Sequence, residues 1–348
     1  MLNDRIESKW IDSFAHEFAL CEVKSGDVVA ILSETQSRTI NVHLAELALL
    51  KLGARPFHVV IPTPPLQAPV PVRSTGSTHV IQMLEPVVQS LIAAGMIVDC
   101  TVEGIMHAPE TPRLLQSGAR AVYVSNEHPE VLERLATDPA LWPKIRRGRE
   151  MMLATQSMTV RSAAGTDLSI RLSGARVGGN FGASFAAGQL SSWPGGICSC
   201  FPPRHAVNGT LVLDTGDVNL TFKRYLERPI RLRIEDDFVV AIDGEGLDVE
   251  LMRSYFKAWG DHNAYGVSHV GWGMNPAARW DALVMYDKGD VNGTELRAFA
   301  GNFLYSTGGN PTADRFTLGH FDLPVRHCTI ELDGVAVVVE GRCQGELA

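Results

Sequence analysis

The chain lacks most of the short signatures that identify an enzyme class at sight. No G-x-G-x-x-G follows its first candidate strand, and neither H-E-x-x-H nor G-x-S-x-G occurs, so dinucleotide, zincin and serine-hydrolase readings lose their motifs. The acidic residues show no pairing that suggests glycosidase work. No apolar run reaches the roughly 18 residues needed to span a bilayer. Residues 1–5 lack the basic-then-apolar layout of a signal peptide. Basic runs are also missing, and with a net charge of -8 the chain is not expected to bind nucleic acid. Cysteine is sparse: six residues, of which Cys198 and Cys200 form C-x-C with no second pair to complete a zinc knuckle. Buried free thiols and a reducing cytoplasm are therefore expected, rather than disulfides.

What is present is an ordinary globular composition, 45% apolar and 20% charged, in 348 residues, a length that suits two domains. The first part alternates strand and helix. Strands are expected at 27–32, 56–61, 96–100 and 119–124, with helices at 39–52 and 82–94 and a short one beginning near Pro112. The Pro-rich stretch 62–72 reads as a loop. This rhythm predicts a doubly wound parallel sheet. After helices at 128–135 and 143–155 the pattern changes to strands at 158–162, 168–172, 209–214, 230–235 and 238–242. One strong helix follows at 247–259, and a hairpin is expected around Asp333-Gly334. The fold class is thus α/β plus β-rich. An N-terminal α/β domain spans 1–155, and a mainly antiparallel β domain spans 156–348.

Two segments of the second half carry the chemistry. One is Ser268-His269-Val270-Gly271-Trp272-Gly273, and the other is Gly319-His320-Phe321-Asp322-Leu323-Pro324. In an extended strand His320 and Asp322 share one face, about 7 Å apart along the chain. With His269 they supply two imidazoles and one carboxylate, the set that non-haem Fe(II) oxygenases use. The glycines beside Trp272 allow close backbone approach. Taken singly, an H-x-D or a lone histidine is more often a core or surface feature than a ligand. His107 follows the third strand, where open α/β sheets bind ligands, and its ordinary pKa near neutrality suits a general base. Trp193-Pro194-Gly195-Gly196 reads as a rigid turn that helps wall a pocket. The stretch 301–308, with Asn302, Tyr305 and Ser306, suits an aromatic, polar-edged ligand. His205 reads as a turn residue.

These segments, with Arg297-Ala298-Phe299, Gly301-Asn302-Phe303-Leu304, Ser306-Thr307-Gly308, Met106-His107-Ala108-Pro109-Glu110 and the stretch 209–214, resemble the 2,5-dihydroxypyridine 5,6-dioxygenase family. That family belongs to bacterial nicotinate breakdown. The resemblance covers most of the chain and is densest after residue 205. It implies a mononuclear non-haem Fe(II) ring-cleaving dioxygenase, extradiol-like in its use of O2. It also implies His269, His320 and Asp322 as ligands, His107 as the acceptor of a substrate hydroxyl proton, and Ser306 in the pocket. Substrate would be a small aromatic N-heterocycle, with O2 as co-substrate, and a homo-oligomer is expected. Where the family pattern carries an acidic residue and a histidine against the substrate, this chain has Asn180 and Ser192. A trihydroxy- or carboxy-pyridine is then an alternative substrate, with Arg176 or Arg204 as carboxylate partner.

The family is similar in turn to aminopeptidase T-type metallopeptidases, which carry two catalytic metals. Two of their metal-binding glutamates correspond here to Ile197 and His269. Their loss disfavours a second metal. Two alternatives to the dioxygenase remain: a metal-dependent aminopeptidase and a non-catalytic binding protein on the same scaffold.

Overall fold

Hydrophobic runs at 28–34 and 96–99 have no polar face, so they need cover on both sides. In the computed structural model, which describes residues 4–69 and 77–348, they receive it. Five parallel strands lie in the order Arg55–Ile61, Val28–Glu34, Met96–Asp99, Arg120–Val124, Leu190–Trp193. Val29, Ile31, Val98 and Val122 face Phe14, Phe18, Leu44 and Leu49. On the other side Ala30, Leu32, Ile97 and Ala121 face Val88, Leu91 and Leu114. The expected doubly wound sheet is therefore present. The expected helices at 39–52 and 82–94 appear as Thr39–Lys51 and Glu85–Ala94, the second ended by left-handed Gly95. The loop expected at 62–72 is irregular through residue 69, and 70–72 lie outside the described residues.

Two features of this half were not expected. Helix Ser8–Leu20 buries Trp10, Phe14 and Phe18, one residue every four, against the sheet. The fifth strand, Leu190–Trp193, comes from well beyond residue 155, so the first sheet is not confined to 1–155.

The remaining strands form two large antiparallel sheets, as the alternating pattern predicted, and a two-stranded ribbon of Val218–Asn219 with Arg224–Tyr225. The larger runs Phe238–Gly244, Ile230–Glu235, Val207–Leu213, Asp167–Arg171, Ser157–Arg161, Thr329–Leu332, Val335–Val339, Arg342–Cys343. Its Asp333-Gly334 turn has left-handed backbone at both residues, which matches the twist of a tight hairpin. The smaller, here the site sheet, runs Phe321–Val325, Phe303–Thr307, Val267–Gly273, Ile197–Phe201, Arg176–Asn180. Phe303, Tyr305, Phe321 and Trp272 from the site sheet share one core with Met158, Leu168, Val207 and Leu232 from the larger. Helix Leu247–Trp259 closes that core with Met252, Tyr255 and Phe256. No helix among the described residues is long and apolar enough to cross a membrane.

Strand Val267–Gly273 has no lateral play. A Cβ on Gly271 would stand 2.0 Å from the Cys198 carbonyl oxygen, and one on Gly273 would stand 2.2 Å from that of Phe299. The chain passes from the parallel sheet into the site sheet through the short link Pro194-Gly195-Gly196, whose Trp193–Pro194 peptide is cis. That link brings the carboxyl ends of the parallel strands against the site sheet. Gly271→Ala should therefore cost more than about 2 kcal/mol of stability, because backbone and not a flexible side chain stands in the way. Thermal and denaturant unfolding measure this, and an unchanged midpoint would mean that the two strands can part freely.

Candidate metal centre

Strand Val267–Gly273 pairs with Phe303–Thr307 through Val267–Thr307 and then Val270–Tyr305, three residues against two. The extra residue is a β-bulge at Ser268-His269, a device that re-aims a side chain. The next strand in that direction, Phe321–Val325, is entered from His320 and carries Asp322, and the two side chains come together on one face as the spacing predicted. His320 Nε2 is 3.1 Å from Asp322 Oδ1, and His269 Nε2 is 3.9 Å from the same oxygen. Tyr255 donates its hydroxyl to the His320 carbonyl oxygen and so fixes the strand entry. Ser306 pairs with Asp322 across the sheet and donates its hydroxyl to Oδ1.

His107 arrives from the other sheet, on the loop after Met96–Asp99. Its ring centroid lies 4.7 Å from that of His320 and 5.9 Å from that of His269. Ligand nitrogens of His107, His269 and His320 all lie within 4.8 Å of one another. Phe201 stacks on His269 at 5.5 Å and meets His107 edge-on at 6.1 Å, which makes an aromatic wall. Sequence reasoning missed Phe201.

Charge explains how such a cluster stays buried. Burial, reinforced by the neighbouring imidazoles, holds His107 well below its ordinary value. Burial also pushes His269 down to about 4, against the pull of Asp322. Both rings are neutral at pH 7, the form that binds metal. Burial alone would raise Asp322, but the Arg297 guanidinium, then His320 and His269, hold it well below the usual carboxylate range. Arg297 sits on the short helix Thr294–Ala298 and its Nε bonds Asp322 Oδ2. No spacing rule links residues 25 positions apart, so sequence reasoning gave Arg297 no role here.

The donor set fits an ion. Two ligand atoms about 2.1 Å from one metal and at right angles are about 3 Å apart. The separations of Asp322 Oδ1 from His320 Nε2 and His269 Nε2, 3.1 and 3.9 Å, are close to that. Among the described residues, Nδ1 of His269 and Nδ1 of His320 are buried without a hydrogen-bond partner, so it is the Nε2 atoms beside Asp322 that carry the fit.

The other expected site residues have different surroundings. Asn180 accepts from the amides of Gly182 and Ser192 at 3.1 and 2.9 Å and donates to the Pro194 carbonyl oxygen at 3.1 Å, so it braces the link between the sheets. Ser192 lies on the fifth parallel strand. Trp193 is fully buried, bonds the Leu135 carbonyl oxygen and packs edge-on against Phe14, within the core of the parallel sheet. Asn302 accepts from the Gly273 amide and donates to the carbonyl oxygens of Leu296 and Arg297, so it anchors the helix that carries Arg297. Arg204 pairs with Asp314, and His205 with Asp236, both at the surface. Arg176 is exposed at the start of the edge strand.

A pH dependence follows from the buried histidines. Between the ordinary 6.5 and about 4, the unfolded chain takes up a proton that folded His269 refuses. Acidification through that window therefore favours unfolding, by an amount on the order of 3 kcal/mol for a shift of this size. Metal-free protein should lose stability as pH falls through it, and His269→Gln should lose less. Denaturant midpoints measured against pH decide this, and parallel curves for the two proteins would show that His269 titrates as in water.

The family model described as 2,5-dihydroxypyridine 5,6-dioxygenase matches residues 9–345. A curated 2,5-dihydroxypyridine 5,6-dioxygenase from Pseudomonas putida strain KT2440 is 34% identical over 333 residues, which are 94% of this chain and 94% of that protein. The solved structure of 2,5-dihydroxypyridine dioxygenase from the same strain matches at TM-score 0.92 and 32% identity, over 99% of this chain and 100% of that one. AmpT from Thermus thermophilus matches at TM-score 0.61 and 14% identity, over 97% and 99% of the two chains, and shares the fold alone. The resemblance read from the motifs is thereby borne out, and the aminopeptidase alternative is not favoured. On a match that runs through both halves of the fold, the chain belongs to the 2,5-dihydroxypyridine 5,6-dioxygenase family.

Proposed function

We propose that this dioxygenase is a mononuclear non-haem Fe(II) enzyme that cleaves the ring of 2,5-dihydroxypyridine, or of a trihydroxy- or carboxy-pyridine analogue. From 2,5-dihydroxypyridine the product is N-formylmaleamate. The observation that carries the reading is the meeting of His269, His320 and Asp322 on two strands, with His107 facing them from the other sheet. His269, His320 and Asp322 hold the metal. Fe(II) supplies the redox chemistry through which O2 reacts with a closed-shell ring, a role zinc lacks.

The protein's own groups do the rest. Neutral His107 accepts the proton of the substrate's ring hydroxyl, and the Asp322 charge favours the imidazolium that results. Phe201 offers a flat apolar wall for an aromatic ring. Ser306 and Arg297 keep Asp322 ionised and oriented. Asn180, Ser192, Trp193 and Asn302 act behind the pocket, through the link between the sheets and the helix bearing Arg297. We further propose a cytoplasmic homo-oligomer whose two domains divide near residue 155, with the fifth strand exchanged between them.

The three-imidazole grouping supports a second ligand set, in which His107 binds the metal and Asp322 only orients His320. One set of variants separates the two. His320→Ala should lose iron and turnover together under either reading. Under the first, Asp322→Ala should also lose iron, while His107→Ala should keep it and lose about 100-fold or more in kcat. Under the second, His107→Ala should lose iron. Metal analysis after anaerobic Fe(II) loading, followed by O2 uptake with a panel of hydroxylated and carboxylated pyridines, reads both. Uptake that needs no iron, or no uptake with any of these rings by iron-loaded protein, would overturn the assignment.

A further inference from the structure

His107 is held in an unusual way. Among the described residues its imidazole has no hydrogen-bond partner. Its ring contacts among the described residues are with Phe201, His269 and His320. Its aim therefore depends on the backbone that carries it, an eight-residue excursion from the carboxyl end of strand Met96–Asp99.

That excursion is pinned by groups at the ends of three adjacent parallel strands. Asp99 spends both carboxylate oxygens on it. Oδ1 accepts from the Thr101 amide at 3.0 Å and the Thr101 hydroxyl at 2.7 Å, and Oδ2 accepts from the Ile105 amide at 2.8 Å. Glu34, at the end of the neighbouring strand, accepts from the Val102 amide at 2.7 Å. Tyr123, from the strand on the other side, donates to the Val102 carbonyl oxygen at 3.1 Å. The Tyr123 ring also closes on Gly104, whose backbone is left-handed and whose Cβ would stand 3.1 Å from that ring. The Ile105 carbonyl oxygen in turn takes the Thr111 hydroxyl and the Ala108 amide. Ile105, two residues before His107, is thus gripped at both its amide and its carbonyl.

We propose that Asp99 is a positioning residue for His107: its two-sided grip on Thr101 and Ile105 sets where the imidazole stands relative to His269 and His320. The inference rests on the base role proposed above for His107. A carboxylate is needed because both of its oxygens accept. In Asp99→Asn one side would meet a backbone donor with an amide donor, and the local turn would open. The location is a costly one for a charge, since burial raises Asp99 to about 6 and nearby Glu34 adds to the rise, although the bonds from Thr101 and Ile105 oppose it. A fold seeking only stability would have little reason to keep an acid there.

The test uses full-length Asp99→Asn, alone and combined with His107→Ala. Displacing a proton acceptor by about 1 Å costs on the order of 100-fold. The single variant should show that loss in kcat, with KM within about 3-fold, iron content unchanged, and His107 shifted from its 4.7 Å ring separation to His320 in a crystal structure of the iron-free protein. In the His107→Ala background, Asp99→Asn should cost nothing further, whereas damage to the fold in general would add to the first loss. Tyr123→Phe, which removes the bond to Val102 together with the hydroxyl's weaker contacts to the Asn126 amide and the Asn292 side chain, should give a smaller loss with the same non-additivity, and it serves if Asp99→Asn does not fold. Additive losses, or an unmoved His107 with normal kcat, would overturn the proposal. Should His107→Ala itself turn over normally, the base role fails, and the iron-free crystal structure still decides whether Asp99 sets the ring's position.

Discussion

A carboxylate stays charged in the buried seam between two sheets with Arg297 against it. Burial pushes Asp322 towards its protonated form, and that guanidinium is the largest of the groups that oppose it, ahead of His320 and His269. With it, one fixed negative charge stands beside the imidazoles of His107 and His269, which burial keeps neutral. That balance suits a divalent cation, whose charge the site receives without a compensating protein cation having to move. Several features further out serve the same contact. Asn302 anchors the helix of Arg297, Ser306 orients Asp322 from the neighbouring strand, and Tyr255 fixes the backbone at His320.

The site is assembled from two architectures that meet end to face. The parallel sheet offers loops at its carboxyl ends, the usual place for binding groups in open α/β folds. The antiparallel site sheet offers side chains on rigid, closely packed strands. His107 comes from the first, and His269, His320 and Asp322 from the second. Ser125 and Asn292 bond across the seam, and Glu127 accepts from the amides of Asn292 and Gly293, so the two architectures are joined by polar contacts as well as by the chain.

Legibility in the sequence followed the range of the interactions. The parallel strands and their helices were legible because continuous apolar runs and 3.6-residue periods are local patterns. The Asp333-Gly334 hairpin was legible from one dipeptide. His320 and Asp322 were legible as a pair because a two-residue spacing has one meaning in a strand. Helix Ser8–Leu20 was available in the four-residue spacing of Trp10, Phe14 and Phe18, but no breaker or cap marks its start. Arg297, Phe201 and the bulge at His269 were not legible, since each acquires its role from contacts between segments distant in the chain. Trp193 and Asn302 stand in motifs that pointed to the pocket, and their side chains instead bond backbone, Trp193 the Leu135 carbonyl and Asn302 the Gly273 amide and the Leu296 and Arg297 carbonyls. A glycine-flanked polar or aromatic residue looks the same in sequence whether its side chain faces the ligand or the backbone that holds the ligand's partners.

The return of Leu190–Trp193 to the parallel sheet bears on how the chain can be divided in the laboratory. A recombinant fragment ending near residue 155 would leave Arg120–Val124 as an uncovered edge, an apolar strand with free amides and carbonyls along one side. Such edges recruit other chains, and aggregation is the expected fate of that fragment. A split placed after the link, beyond Gly196, would keep the sheet whole but strip the site sheet of its connection. The molecule is thus better treated as one cooperative unit in expression and labelling work, whatever its two-layer appearance suggests.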